Sequence, residues 1–488
     1  MNAHDPAQAW QLAAGLLAQG QALAALALLE RAVDASPAHV ALCRYAGEVA
    51  LHAREPERAR MHLQRADDLE PGDLTCGINL SLALIQLGEP ERAIAVLSPH
   101  MAAQPNRQVS LNYARALQDC HRLEEAEYTL RHLLAVAPDD VEALTNLGTV
   151  LRDARQMAPA LACFERALGL APGLQAARDN LAHTLLAMGD YRRGFAAFEG
   201  RRFEDATGIS AQVPRWDGRP IPGLRLHVIA EQGFGDMLMF ARFGRQLADR
   251  GIESVLHVHP RLVRLLGRSR LFDEVVAYGR APLGTTARWA PLMSLAHLLG
   301  VTLETLPAPI PYLAADRPRR ERWSAWLGPR TGPRIGIAWA GNPRSEQDDL
   351  RGRSVPLAAF AGLLSIEGAQ LISLQREYGL EQLREPPWAG RLRCPDPPLD
   401  AGSDGFLDTA ALICSLDLVI TCDTSIAHLA GGLGHPTWVA LHHTPDWRWL
   451  RDREDSPWYP TLRLVRQTQP GNWTEVFSVV AQQVVRQP

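Results

Sequence analysis

Residues Asp417–Leu441 read DLVITCDTSIAHLAGGLGHPTWVAL, and this stretch decides the fold of the larger part of the chain. Leu418, Val419 and Ile420 form a short β-branched-rich run, and Trp438, Val439, Ala440 and Leu441 form a second. Between them Ile426, Leu429, Ala430 and Leu433 recur at helical spacing, so the stretch reads strand, turn, helix, loop, strand: a βαβ unit. At the turn, Asp423, Thr424 and Ser425 are residue types that open a helix and leave its first backbone N–H groups available to a phosphate. The same types cap the helix of any α/β protein, so this element alone leaves both readings open. Gly431, Gly432 and Gly434 let the helix end in close packing and the chain turn back into the next strand.

On either side of this unit β and α segments alternate. RIGIAWAG, QLISLQ, RLRC, DLVIT, TWVAL and LRLVR read as strands with helices between them, closed by an amphipathic helix near Trp473 to Val485. An arginine- and proline-bearing link at about residues 316–333 separates this series from an earlier one beginning at Leu224. There LRLHVIAE, SVLHVH and DEVVAY are strands, and GFGDMLMFARFGRQLADRG and LVRLLGRSR are helices. Such alternation predicts parallel sheets covered on both faces, and two such halves form a cleft between facing carboxyl edges. The turn after the first strand, Glu231 to Asp236, lacks the third glycine of a dinucleotide fingerprint, which argues against a nicotinamide cofactor. Asp236 sits at the carboxyl end of that strand, where it either caps its helix or acts as a base.

Three loops of the second half should open on the cleft. In Trp339–Pro343, Gly341 allows close backbone approach to a ligand, and Asn342 follows it. In Arg351–Pro356, Arg353 can reach a phosphate, and the third loop is the Asp423 turn. A glycine turn, an arginine and a helix start converging on one crevice fit a diphosphate.

Before Phe203 the chain repeats itself. Pro37, Pro71, Pro105, Pro138 and Pro172 stand at intervals of 34, 34, 33 and 34, the tetratricopeptide period. Ala25, Ala59, Ala93, Ala126 and Ala160 recur where two helices pack too closely for a larger side chain, and Gly20, Gly88 and Gly189 mark turns between helices. A solenoid of this kind binds polypeptides along its face. Asn79, Asn112, Asn146 and Asn180 occupy one repeat position, so their carboxamides either line a groove for the backbone of an extended peptide or serve the repeat itself. The expected domains are a solenoid at 1–203, a Pro/Gly-rich linker at 204–223, one Rossmann-like half at 224–315 and a second at 316–488. Tyr191, Phe195, Phe198 and Phe203 are expected to pack on the region after the solenoid.

Composition narrows the chemistry. Net charge is −4 over 488 residues, without the basic excess of a nucleic-acid-binding protein. The sequence contains no lysine, so its 50 basic residues are all arginine; a Schiff-base lysine, pyridoxal-phosphate catalysis and a lysine P-loop are excluded. The seven cysteines form no C-x-x-C pair and read as reduced, buried thiols. Neither a leader-like N-terminus nor a membrane-length apolar run is present, so a cytoplasmic location is expected. His442 and His443, near Asp446, are adjacent on a loop and make a poor metal set, and no metal or cofactor is expected. Trp447 and Trp449 either stack on a base or sugar or pin that loop.

These residues carry a resemblance. From about residue 222 onward the chain resembles the heptosyltransferase-like glycosyltransferases of family 9, and its arrangement with N-terminal repeats is similar to a group of bacterial repeat-bearing glycosyltransferase-like proteins. The most specific piece is DTSIAHLAGGLGHP, resembling the family's Asp-Thr-Gly/Ser-x-x-His-x-Ala segment. The resemblance implies a GT-B fold, with Asp423, Thr424, Ser425 and His428 in the nucleotide-sugar site, Arg353 as its basic residue, and Gly341 and Asn342 facing the diphosphate. GFGD resembles the family's Leu-Gly-Asp turn, which makes Asp236 the candidate base. The family's basic residue is commonly lysine; here it can only be arginine. The resemblance implies a metal-independent, inverting glycosyltransferase, and the repeats point to a protein or peptide acceptor. The alternative is a repeat adaptor whose glycosyltransferase-like half has lost turnover.

Overall fold

The structure, a computed structural model, describes residues 5–103, 106–279, 287–306, 310–346, 352–402 and 405–486. It divides into two compact units, Met1–Asn180 and Leu181–Pro488.

In the first unit helices of 13 and 14 residues alternate, from Pro6–Ala18 and Ala22–Ala35 through Val141–Asp153 and Met157–Leu170. The five repeat alanines, Ala25, Ala59, Ala93, Ala126 and Ala160, are all fully buried. At Gly47 and Gly148 of the first helices the partner helix lies against the backbone: a Cβ at Gly47 would stand 2.4 Å from Leu63, and one at Gly148 would stand 2.4 Å from Phe164. The turn within each helix pair takes the left-handed conformation at Gly20 and Gly88, and equally at Arg54, His121 and Arg155, whose φ angles are 60°, 57° and 63°. The period therefore fixes a backbone conformation that glycine signals in only some repeats. Pro105 lies outside the described residues.

The second unit holds two parallel sheets. The first contains β1 (Arg225–Ile229), β2 (Glu253–Val258), β3 (Glu274–Ala277) and β4 (Ala287–Pro291), in the order β3-β2-β1-β4. The second contains β5 (Arg334–Ala338), β6 (Gln370–Ser373), β7 (Leu418–Cys422), β8 (Thr437–Leu441) and β9 (Leu462–Arg466), in the order β6-β5-β7-β8-β9. Every residue of β7 and β8 is buried, as expected of strands covered on both faces. Winding reverses between β1 and β4 in one sheet and between β5 and β7 in the other, and at such switch points the connections leave in opposite directions and open a crevice.

Three details differ from the sequence reading. β4 has no counterpart in it; Pro291 is tolerated there because the strand lies at the sheet edge. RLRC makes a single bridge, Arg393 to Ile372, since Pro386, Pro387, Pro395, Pro397 and Pro398 crowd its flanks and supply no N–H donors. The expected long helix after β1 breaks into Phe234–Phe240 and Phe243–Asp249. At the break Arg242 turns inward, is 3% exposed, and donates from Nε to Met239 O at 3.0 Å.

The aromatic stripe packs as expected. Tyr191, Phe195 and Phe198 lie in the core of the second unit, Tyr191 Oη accepts from Trp458 Nε1 at 2.9 Å, and Phe203 stacks on Trp289. The packing division thus falls before the Tyr191–Phe198 helix, earlier than residue 203. No helix among the described residues is long and apolar enough to cross a membrane.

Candidate functional site

A cleft of about 650 Å³ lies at the carboxyl edges of the two sheets in the second unit. The loop after β1 supplies Gln232 to Met237, the loop after β5 supplies Ala340 to Asn342, and the turn after β7 supplies Asp423 to Ser425. Arg353, His428 and the Asp446/Arg448 pair complete the wall. All eight residues that the sequence placed in the catalytic and donor sites, Asp236, Gly341, Asn342, Arg353, Asp423, Thr424, Ser425 and His428, therefore line one cavity.

The β7 turn builds its part through backbone geometry. Thr424, at the N-cap of the Ser425–Gly432 helix, is extended and makes no side-chain cap; its hydroxyl faces Thr421 Oγ1 at 3.3 Å. Asp423 is 9% exposed, and burial, reinforced by Asp446, pushes its carboxyl well above the usual range, while Arg448 and Arg353 oppose the shift.

After β5 the chain is clamped by Gln375. Its Oε1 accepts from Trp339 N at 2.9 Å and Ala340 N at 3.0 Å, while its Nε2 donates to Ala340 O at 2.8 Å. Gly341 N then donates to Ser354 Oγ at 2.9 Å. A Cβ on Gly341 would stand 2.9 Å from Arg353 Nε, so the glycine is the space in which the guanidinium lies. Arg353 Nε stands 3.5 Å from Glu346 Oε1. Arg351 of the same loop lies outside the described residues.

On the opposite wall Asp236 does two things. Its Oδ2 accepts from Gly233 N at 3.1 Å, which caps the Phe234–Phe240 helix, and its Oδ1 pairs with Arg448. Arg448 also holds Asp446 at 2.7 Å. Gln232, beside this turn, takes a left-handed φ of 61°, a strained conformation held by its surroundings. Glu231, the residue before it, is locked by Arg201, whose Nε donates to Glu231 Oε2 at 3.0 Å.

His428 is 4% exposed, stacks on Trp449 with ring centres 5.3 Å apart, and stands 3.0 Å from Tyr459 Oη. Burial, aided by Arg448, lowers it to about 3, so its imidazole is neutral. A Cβ on Gly235 would stand 2.8 Å from His428 Cδ2, which is why the turn after β1 must approach without a side chain.

Sequence reasoning missed Arg261, Arg376 and Arg448 as cleft residues. The available signal was position: Arg376 and Arg448 follow the carboxyl ends of β6 and β8. Among the described residues the lining holds four arginines, Arg261, Arg353, Arg376 and Arg448, and four acids, Asp236, Glu377, Asp423 and Asp446. Trp447 and Trp449 pin the loop, being 3% and 0% exposed. His443 Nδ1 lies 3.4 Å from Gln467 O, and among the described residues no group of three or more His, Cys, Asp or Glu is placed to hold a metal.

In the first unit three of the four repeat asparagines are engaged by neighbouring repeats. Asn112 is buried and donates to Ser81 Oγ at 3.1 Å and Ile78 O at 3.3 Å. Asn180 accepts from Arg152 Nη1 at 2.8 Å, and Asn79 donates to Glu48 at 3.4 Å. Asn146 is half-buried.

Comparison with known proteins bears on the repeats most directly. Family models described as tetratricopeptide repeat match residues 50–110 and 141–173. The chain is similar to protein FlbA of Caulobacter vibrioides, with 28% identity over 501 residues, covering 95% of this chain and 81% of FlbA. Among solved structures it is similar to YrrB, described as a TPR protein with an unusual peptide-binding site, at 19% identity over 36% of this chain and 91% of that one, with a TM-score of 0.32. It is also similar to a thermophilic TPR protein of Thermus thermophilus, at 24% identity over 37% of this chain and all of that one, with a TM-score of 0.32. The N-terminal region is a tetratricopeptide-repeat solenoid, a protein-interaction scaffold, followed by α/β elements on parallel sheets.

Proposed function

We propose that the chain is a nucleotide-sugar-dependent glycosyltransferase, metal-independent and inverting, whose solenoid recruits a protein or peptide acceptor. The observation that carries this reading is the convergence of Asp236, Gly341, Arg353, the Asp423–Ser425 turn and His428 on one cleft between two parallel sheets. Two Rossmann-type halves with a crevice at their facing carboxyl edges are what a GT-B arrangement requires, and ligands of such sheets bind at the switch points.

The chemistry divides between the walls. The acceptor hydroxyl gives its proton to Asp236 as its oxygen bonds to the sugar's anomeric carbon, and the bond from that carbon to the phosphate breaks, releasing a nucleoside diphosphate. Positive potential for the leaving group comes from Arg353, Arg448 and the uncapped helix start at Thr424–Ser425. Among the described residues Arg261, Arg353, Arg376 and Arg448 line the cleft, a set of cations that suits a diphosphate. Arg448, paired with Asp236, competes with the acceptor for that carboxylate; a bound diphosphate offers Arg448 another anion and frees Asp236.

A thermal-shift screen of the full chain against UDP, ADP, GDP, CMP and their sugars tests this reading, with Arg353→Ala and Asp423→Ala as controls. A ligand that binds the native state raises the melting temperature by mass action. The expected result is a shift from one nucleotide family that both variants lose. No shift from any of them would sink the enzyme reading and leave the adaptor.

A further inference from the structure

The hydrogen-bond chain behind His428 decides which of its ring nitrogens carries the proton. Arg242, 3% exposed, stands at the base of this chain and donates to Met239 O at 3.0 Å and to Trp458 O at 2.7 Å. Its guanidinium carbon lies 4.7 Å from the ring centre of Tyr312 and 4.6 Å from that of Tyr459. These partners are carbonyls and phenols rather than carboxylates, so a buried cation faces two hydroxyl oxygens and favours both as acceptors. Arg242 Nη2 donates to Tyr312 Oη at 3.2 Å, and the single hydroxyl hydrogen of Tyr312 goes to Leu238 O at 3.1 Å.

Tyr459 then has two places for its own hydrogen: Tyr312 Oη at 3.5 Å, or His428 Nδ1 at 3.0 Å. The first distance is beyond a good O–H···O bond and the second is within range. If Nδ1 carried a proton, Tyr459 would accept from it and its own hydrogen, buried, would be left with the long contact only, the cost of an unsatisfied buried donor. Burial holds the Tyr459 hydroxyl well above its ordinary value, so it keeps that hydrogen to give.

We infer that Tyr459 donates to Nδ1 and thereby fixes His428 as the neutral Nε2–H tautomer, with Nε2–H presented to the cleft as a hydrogen-bond donor. The ring lines the cleft and its Nε2 edge is turned towards Gly235, where a Cβ would stand 3.4 Å away. A neutral donor cannot take a proton from an acceptor hydroxyl, which separates His428 from the base role. It suits an anionic oxygen, and on the reading proposed above that oxygen belongs to the diphosphate of the sugar donor. Tyr459 and Arg242 are positioning residues acting through His428.

The test is a long-range proton–nitrogen correlation spectrum of the full chain labelled with ¹⁵N-histidine, with His428→Asn used to identify the signals. The expected pattern is a pyridine-like Nδ1 and a pyrrole-like Nε2, persisting in Tyr312→Phe, which removes the competing acceptor. In Tyr459→Phe, nearly isosteric, the pattern should shift towards a mixture of tautomers. A pyrrole-like Nδ1 in the unmodified chain would overturn the assignment, as would a Tyr459→Phe variant with an unchanged spectrum. Should Tyr459→Phe fail to fold, the unmodified chain and Tyr312→Phe still decide the tautomer. Adding UDP, ADP, GDP and CDP in turn separates the two ideas: a fixed tautomer whose Nε2–H no nucleotide perturbs refutes the donor-site reading while the positioning chain stands.

Discussion

Arg448 and Asp236, 212 positions apart in the chain, form an ion pair on the cleft wall in which both side chains are largely shielded from solvent, 12% and 17% exposed. One comes from the loop after β8 and the other from the turn after β1, so the pair ties the two sheets of the second unit together across the candidate site.

This pair makes the roles of its members separable. Asp236→Asn leaves Arg448 with Asp446, so the fold and donor binding should persist while transfer falls about 100-fold or more through loss of the base. Arg448→Met leaves two buried carboxylates without their cation and should destabilise the chain by about 3–5 kcal/mol. Denaturation midpoints and turnover measured on both variants check this. Near-normal transfer by Asp236→Asn would show that the base lies elsewhere.

Arg353 and Gly341 should fail together. Arg353→Ala removes a charged contact worth about 1.5–3 kcal/mol, roughly 10- to 100-fold in donor affinity. Gly341→Ala places a methyl 2.9 Å from Arg353 Nε and should weaken binding through the same arginine. A double variant no weaker than Arg353→Ala alone is the expected outcome in a titration; additive losses would show that Gly341 acts separately.

In the solenoid, Arg54 is exposed and holds a left-handed φ of 60° in a position taken by glycine in neighbouring repeats. Arg54→Gly relieves that strain and should raise stability by about 1 kcal/mol. Urea titration of the full chain measures it, and a loss of stability would show that Arg54 makes a compensating contact.

Part of the acid sensitivity should come from a buried histidine pair, alongside His428 and His435, which burial also lowers. His227 Nδ1 and His257 Nε2 are 2.9 Å apart and both rings are fully buried. Burial lowers His227, and burial together with the neighbouring His227 lowers His257 to about 4. Between that value and the ordinary 6.5 the unfolded chain binds more protons than the native one. Stability is therefore complete above about pH 6.5 and is lost as pH falls towards 4, by up to about 1.4 kcal/mol per pH unit for each such group. The double variant His227→Leu, His257→Leu should make this limb shallower in melts taken across pH 4 to 7; an unchanged slope would assign the acid loss to other groups.

The amino-acid sequence by itself determined the repeat period, the βα alternation and eight of the residues that reach the cleft, but not its arginines Arg261, Arg376 and Arg448. These signals are local: a 34-residue spacing, continuous apolar runs in strands buried on both faces, and glycines or capping residues at turns each act within one or two elements. Tertiary structure alone decided what those residues meet. The partner of Asp236 lies 212 residues away, and that of Tyr191 lies 267 residues away. The left-handed turns at Arg54, His121 and Arg155 were hidden because only glycine announces that conformation. The inward turn of Arg242, which splits a helix and aligns Tyr459 with His428, depends on carbonyls and phenols brought in from three separate segments. Sheet order sets those meetings, because the side chains that share a strand edge are chosen by how the chain crosses over and not by their spacing along it.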